Sequence, residues 1–138
     1  MTAPKISVIV PAFNHEAYIV DALHSVLAQT LGDLELIVID DASRDGTWDA
    51  IQSIRDPRLR ALRHDDNRGA HATLNEGLGL ARGDILAILN SDDAFHPERL
   101  ERMVSALGNT PHLAFSDVAF IDGDGQPAPD HERARDYA

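Results

Sequence analysis

The sequence predicts an α/β fold of three layers, with helices on both faces of a doubly wound, mainly parallel sheet. Two observations predict it. Short apolar runs rich in β-branched residues alternate with longer segments of helical periodicity, in the order β-α-β-α-β-α-β-α-β. The runs are apolar throughout, as strands buried on both faces must be, and such alternation implies right-handed crossovers.

Ile6 to Val10 reads as the first strand, ended by Pro11. Asn14 is placed to cap a helix from His15 to Gln29, with Tyr18, Ala22, Val26 and Leu27 on one face. Leu34 to Ile39 is the second strand. It runs into Asp40, Asp41 and the turn Ala42-Ser43-Arg44-Asp45-Gly46, and a helix follows from Thr47 to Ile54. Asp56-Pro57 breaks that helix. Leu59 to Arg63 is a short third strand, and the polar loop His64 to Gly69 leads to a helix from Ala70 to Ala81. Gly83 stands where a helix C-terminal cap is expected.

Ile85 to Leu89 is the fourth strand, ending in Asn90-Ser91-Asp92-Asp93. Pro97 starts a helix to Leu107, since the first helical position tolerates proline. Leu113 to Ile121 reads as a fifth strand, followed by a hairpin-like turn, Asp122-Gly123-Asp124-Gly125. Residues 1–126 are expected to form one domain and 127–138 a polar, loosely ordered tail.

Composition narrows the function. The 138 residues are 43% apolar and 25% charged, ordinary for a globular protein. A net charge of −11 disfavours nucleic acid as a partner. The absence of cysteine excludes disulfides, thiolate metal sites and thiol nucleophiles. The apolar run near the N-terminus spans five residues, too short for a signal peptide or a membrane span. A cytoplasmic location is expected, with peripheral attachment at the inner face of the membrane as its variant.

Open α/β sheets bind ligands beyond the carboxyl ends of their strands. There the sequence places Pro11-Ala12-Phe13-Asn14, Asp40-Asp41-Ala42-Ser43, His64-Asp65-Asp66-Asn67 and Asn90-Ser91-Asp92-Asp93. Three of these four ends carry an aspartate pair. Clustered carboxylates raise one another's pKa unless a cation or a donor joins them. They read as a site for a hard cation, Mg²⁺ or Mn²⁺, or as acceptors for ligand hydroxyl and imino groups. Aspartates that only terminate strands and cap helices are the plainer alternative.

Other patterns fall away. Asp41 to Asp45 resembles the opening of a calcium loop, but Gln52 stands where that loop needs a glutamate. Gly77, Gly79 and Gly83 lie between helix and strand, the reverse of a dinucleotide fingerprint, and read as close helix packing and a cap. A phosphoacceptor signalling domain would share the acidic strand ends but uses a lysine after the last strands, and Lys5 is the only lysine. The seven histidines read mostly as surface residues, with His71 the exception, and Trp48 reads as core.

The segments ISVIVPAFNHEAYIVDALHSVLAQT, LELIVIDDASRDGT, DNRGAHATLNEGLGLARGDILAILNSDD and HPERLERMV follow one another from Ile6 to Val104. In that order they resemble the inverting glycosyltransferases of family 2, with the glycosyltransferase A fold, a Rossmann-like nucleotide-sugar-binding domain. FSDVAFIDGDG is similar to a region found after the acidic motif in many members.

The resemblance implies a nucleotide-sugar donor, most commonly a UDP-sugar, and a carbohydrate or lipid-linked acceptor. Pro11, Ala12 and Phe13 match the loop that lies along the nucleoside. Asp41 matches the aspartate that contacts the base, and its neighbour Asp40 is placed to share that role. Asp92 and Asp93 match the acidic motif, with Asp93 as the metal ligand and Asp92 as the ribose-side contact that also serves the metal. Asn90 stands where many members carry a further aspartate and brings a carbonyl oxygen without charge. Arg68 and His71 lie in a loop that passes the nucleotide in the family.

The resemblance also places the catalytic base well beyond the acidic motif, in a segment this chain largely lacks. Asp117 is a candidate for it by position only. Transfer by the chain itself and a donor-binding module that transfers nothing unaided therefore both stand as expectations. An incomplete second half would expose sheet edge, which makes a homo-oligomer a further expected partner state.

Overall fold

The computed structural model describes residues 2–109, 113–116, 118–122 and 124–127. In chain order the elements are β1 (Ile6–Ala12), α1 (Ile19–Leu27), β2 (Leu34–Asp40), α2 (Thr47–Ser53), β3 (Leu59–Arg63), α3 (Ala70–Leu80), β4 (Ile85–Ile88) and α4 (Arg99–Leu107). The strands form one sheet in the order β3-β2-β1-β4, every pairing parallel. The chain steps from β1 to β2 to β3, then crosses back to lay β4 on the other side of β1. The reversal of direction falls between β1 and β4, where an open sheet parts its loops.

Alternate residues of the central strands serve opposite faces. Val8, Val10, Leu36 and Val38 pack in one core with Ile19, Leu23 and Val26 of α1, Ile51 of α2 and Leu100 of α4. Ile9 points the other way, against α3, where a Cβ on Gly77 would stand 2.4 Å from Ile9 Cγ2. A side chain there would push the helix off the sheet, so close packing is what Gly77 provides. Each fully buried Val, Leu or Ile contributes about 1.5–3 kcal/mol. That makes β1 and β2, buried along nearly all their length, a firm base for the loops that follow them.

The structure amends several expectations. β1 continues through Pro11 to Ala12. Leu89 N–H donates to the carbonyl of Ile9, so two residues on the missing N–H of Pro11 faces the same side, past the end of β4. Asn14 does not cap α1. It has a left-handed φ of 52° and accepts the N–H of Arg44 on its side-chain oxygen, so the helix starts only at Ile19. Gly83 is no left-handed cap. Its N–H donates to Ser7 Oγ at 2.8 Å, and a Cβ there would lie 2.6 Å from Ser7 N and 2.7 Å from Ile6 C. The turn into β4 thus crosses directly over β1.

The expected fifth strand does not form among the described residues of Leu113 to Ile121. An isolated antiparallel bridge joins Ile121 to Pro127 around the expected turn. Leu113 and Phe115 are 89% and 86% exposed. β4 closes the sheet with Leu86 and Ile88 about half exposed. An apolar run without a ladder partner buries too little to offset its ordering entropy. The polar tail falls mostly at residues 128–138, outside the described residues. No helix among the described residues is long and apolar enough to cross a membrane.

Candidate functional site

Two hollows of about 540 and 420 Å³ lie beyond the carboxyl ends of the strands and share Phe13 and Asn67 as walls. Together they form one trough of a size usual for small-molecule sites. The larger end is lined by Pro11, Ala12, Phe13, Asp41, Asn90 and Asp92, among others. The other end is walled by Phe13, Arg44, Arg63 and His64, with Asp65 and Asp66. Residues predicted from three separate strand ends therefore meet in one place.

Backbone bonds fix the loops that build it. Asn14 N–H donates to Ser43 Oγ at 2.9 Å and His15 N–H to Thr47 Oγ1 at 2.9 Å. Gly46 N–H donates to Glu16 Oε2 at 2.7 Å. The loop after β1 is thereby laced to the loop after β2, and Phe13 is held at its crest, 43% exposed. Ala42, at φ 61°, takes a left-handed conformation that a residue with a Cβ seldom adopts, the kind of strain that collects at functional loops.

Asp41 organises the next loop. Its Oδ1 accepts the N–H of Arg68 at 2.8 Å and faces His64 Nδ1 at 2.7 Å, while its Oδ2 accepts the N–H of Gly69 at 2.8 Å. Asn67 donates to the Asp41 carbonyl. Burial alone would push the Asp41 carboxyl up, but these hydrogen bonds outweigh it and hold its pKa below the ordinary carboxylate value. Burial would push His64 down, and the two carboxylates it bridges, Asp41 and Glu76, raise its pKa instead.

Asp40 is fully buried. Ser43 Oγ–H donates to its Oδ1. Arg63 Nε lies 3.1 Å from its Oδ2 but is aligned too poorly for a hydrogen bond, so that oxygen keeps an ionic contact alone. Arg63 also covers the ring of Trp48, 5.7 Å from its centroid, and donates to the Ser43 carbonyl. Trp48 is half-buried against the core, as expected.

On the opposite wall, His15 Nδ1 lies 2.6 Å from Ser91 Oγ, and His15 Nε2 is 3.9 Å from Asp92 Oδ2. Asn90 Nδ2 donates to Asp93 Oδ2 at 3.1 Å, orienting one carboxylate of the pair. Asp92 and Asp93 are both exposed. Among the described residues no group of three or more His, Cys, Asp or Glu side chains converges as a metal site. Two adjacent carboxylates with open coordination still fit a hard cation that takes its remaining oxygens from water and from a ligand's phosphates.

Of the expected contacts, Asp40, Arg68, His71 and Asp93 are not among the trough's lining residues. Arg68 turns its guanidinium to Glu76, 3.2 Å away, and contributes its backbone N–H to Asp41. His71 is exposed on the first turn of α3 and is not among the trough's lining residues. The histidine worth watching is His64, buried at the site, and His15 joins it from the loop after β1, reaching across to Ser91. Its position directly after β3 signalled it, but His64 carries no motif. His112, His131 and Asp117 lie outside the described residues.

Comparison with known proteins places this geometry in a family. The family model described as glycosyl transferase family 2 matches residues 7–134. The succinoglycan biosynthesis protein ExoO of Rhizobium meliloti is 40% identical over 123 residues, 87% of this chain and 35% of that protein. A mannosyltransferase from Pyrobaculum calidifontis, solved with GDP-Man and Mn²⁺, superimposes with a TM-score of 0.71 at 29% identity, over 79% of this chain and 34% of its own. S. aureus TarS 1-349, solved with UDP-GlcNAc, gives 0.70 at 31% identity, over 75% of this chain and 31% of its own. The chain spans about a third of the length of each of these proteins. With the family model covering nearly all of it, and with solved nucleotide-sugar transferases sharing its fold, the chain belongs to glycosyltransferase family 2.

Proposed function

We propose that the trough holds a nucleoside-diphosphate sugar and that the chain is the donor-binding part of an inverting, metal-dependent glycosyltransferase. The observation that carries this is the convergence of Phe13, Asp41 and Asp92 on one hollow at the point where the strand order reverses. The base lies against Phe13 with its ring N–H toward Asp41. The ribose and diphosphate run toward Asn90 and Asp92, along Pro11 and Ala12. Uracil and guanine both carry a ring N–H that a carboxylate can accept. The solved relatives bound to UDP-GlcNAc and GDP-Man fit that common feature.

Asp93 and Asp92 are the residues that would hold Mn²⁺ or Mg²⁺. A divalent cation there supplies neutralisation of the negative charge that builds on the departing diphosphate. The protein's own part is to seat the donor and fix its diphosphate at the mouth of the acidic loop. In the transfer, an acceptor hydroxyl oxygen bonds to the anomeric carbon from the face opposite the diphosphate. The carbon–oxygen bond to the diphosphate breaks, and a carboxylate takes the hydroxyl proton. The acceptor is a carbohydrate or a lipid-linked one. Fully buried, with Ser43 and Arg63 as its partners, Asp40 holds the loop after β2 rather than touching the ligand.

Calorimetric titration of a panel of nucleotide sugars in the presence of Mn²⁺ tests the reading. Saturable heat with a uridine or guanosine diphosphate sugar is expected. No heat with any of them at millimolar concentration overturns it. Transfer of sugar by the chain alone separates a complete enzyme from a donor-binding module.

A further inference from the structure

The loop after β3 closes on a histidine wedged between two carboxylates that belong to different layers. His64 Nδ1 is 2.7 Å from Asp41 Oδ1, at the end of β2, and Nε2 is 2.9 Å from Glu76 Oε2, on α3. The histidine side chain is 3% exposed and that of Asp41 4%. A neutral imidazole carries one N–H and one bare nitrogen. A ring with a carboxylate oxygen at each nitrogen satisfies both contacts only as the imidazolium. Arg68, whose Nη1 lies 3.2 Å from the same Glu76 Oε2, holds that second carboxylate in place.

The consequence falls on Asp41. Each carboxylate oxygen has about two acceptor directions. Oδ1 uses both, on His64 and on the Arg68 N–H. Oδ2 accepts the Gly69 N–H, which leaves one direction without a donor among the described residues. The carboxylate cannot rotate without breaking these bonds. Asp41 lines the trough, so it is a nearly buried, charged acceptor with one acceptor direction that no described residue fills.

We infer that His64 is a positioning residue for donor recognition, which locks Asp41 in the orientation that accepts a ring N–H and so makes the site select uracil-type over cytosine-type bases. Cytosine offers a bare ring nitrogen at the matching position, and two acceptors then face each other. The inference rests on the proposed contact between Asp41 and the base. It adds that the selectivity resides in a layer-spanning relay, Asp41–His64–Glu76–Arg68, and not in Asp41 alone. Glu76 and Arg68 thereby acquire an effect on base choice without touching the base.

The experiment compares UDP and CDP binding, each with Mn²⁺, by calorimetry on the wild-type chain and on Asp41→Asn, His64→Ala and Glu76→Ala, with folding checked by circular dichroism. The wild type is expected to prefer UDP, and Asp41→Asn to lose that preference. In His64→Ala the UDP-to-CDP preference is expected to fall about tenfold, the effect of losing one charge-assisted hydrogen bond. Glu76 is more exposed, so Glu76→Ala carries the test if His64→Ala does not fold, and the preference is expected to fall there too. A wild type that binds both nucleotides alike overturns the Asp41 reading and this inference with it. A preference lost in Asp41→Asn but undiminished in folded His64→Ala, or in Glu76→Ala where His64→Ala does not fold, leaves the Asp41 reading standing and overturns the role of His64.

Discussion

His15 Nδ1 stands 2.6 Å from Ser91 Oγ, and this contact joins the loop after β1 to the acidic loop after β4 across the gap where the strand order reverses. The residues lie 76 positions apart in the chain. Through it, the wall that carries Phe13 and the wall that carries Asp92 keep a fixed separation. A trough of fixed width pre-organises its ligand contacts and lowers the ordering cost of binding.

Asp93 is exposed and, among the described residues, bonds only within its own loop. Asp93→Asn is therefore expected to remove Mn²⁺-dependent nucleotide binding, by about tenfold or more in affinity, while the melting temperature of the free chain stays within about 2 °C. Calorimetry with and without Mn²⁺, beside a thermal melt, checks both. An equal loss of stability with and without ligand would assign Asp93 a structural role instead.

Asp41 differs because it is buried and serves the loop before α3. Asp41→Ala leaves the N–H groups of Arg68 and Gly69 and the ring of His64 without their acceptor. A loss of about 1.5–3 kcal/mol of stability is expected in addition to weaker nucleotide binding. Chemical denaturation measures the first and titration the second. Binding that keeps its Mn²⁺ requirement would show that the base contact and the acidic loop act separately.

The layout of the fold was legible because the strands are apolar on both faces, and each of the first four runs became a strand within two residues of its expected ends. Leu113 to Ile121 shows what a pattern omits: an alternation states which side chains want burial but not whether a neighbouring strand is present to provide it. The clustering of strand ends was legible as well, since parallel connectivity sends every carboxyl end to one edge. The roles within the cluster were not. Nothing in the spacing distinguishes Asp40, fully buried beside Arg63 and Ser43, from Asp41, which lines the trough and keeps one acceptor direction that no described residue fills. His64 was visible only by its place after β3, and its role was not, because its partner Glu76 is brought near only by the packing of α3.

Stability should depend on pH from both sides. His64 has its pKa raised above its ordinary 6.5, so its contribution is complete below that value and is lost as pH rises through the folded value. Asp41 and Glu35 have theirs lowered from 3.8 and 4.5. Their contributions are present above those values and are lost as pH falls through the folded ones. For Glu35, burial is outweighed by the hydrogen bonds from Ser7 and Arg82. Melting temperature measured from acid to alkaline pH is expected to fall at both ends, and His64→Gln to remove the decline on the alkaline side.

Gly83 lets the turn into β4 lie on β1, with a Cβ position only 2.6 Å from Ser7 N. The obstructing atoms are backbone and cannot move aside. Gly83→Ala is expected to destabilise the fold by about 1–3 kcal/mol, as overpacking does. It should also shift β4, and with it the acidic loop. Denaturation followed by nucleotide titration reads both effects.

A crystal structure with UDP and Mn²⁺ would show the donor in its seat. Uracil is expected against Phe13 with its ring N–H on Asp41, and the diphosphate and metal beside Asp92 and Asp93. A nucleotide bound away from the gap between β1 and β4, or a metal held without either carboxylate of the acidic pair, would contradict that placement.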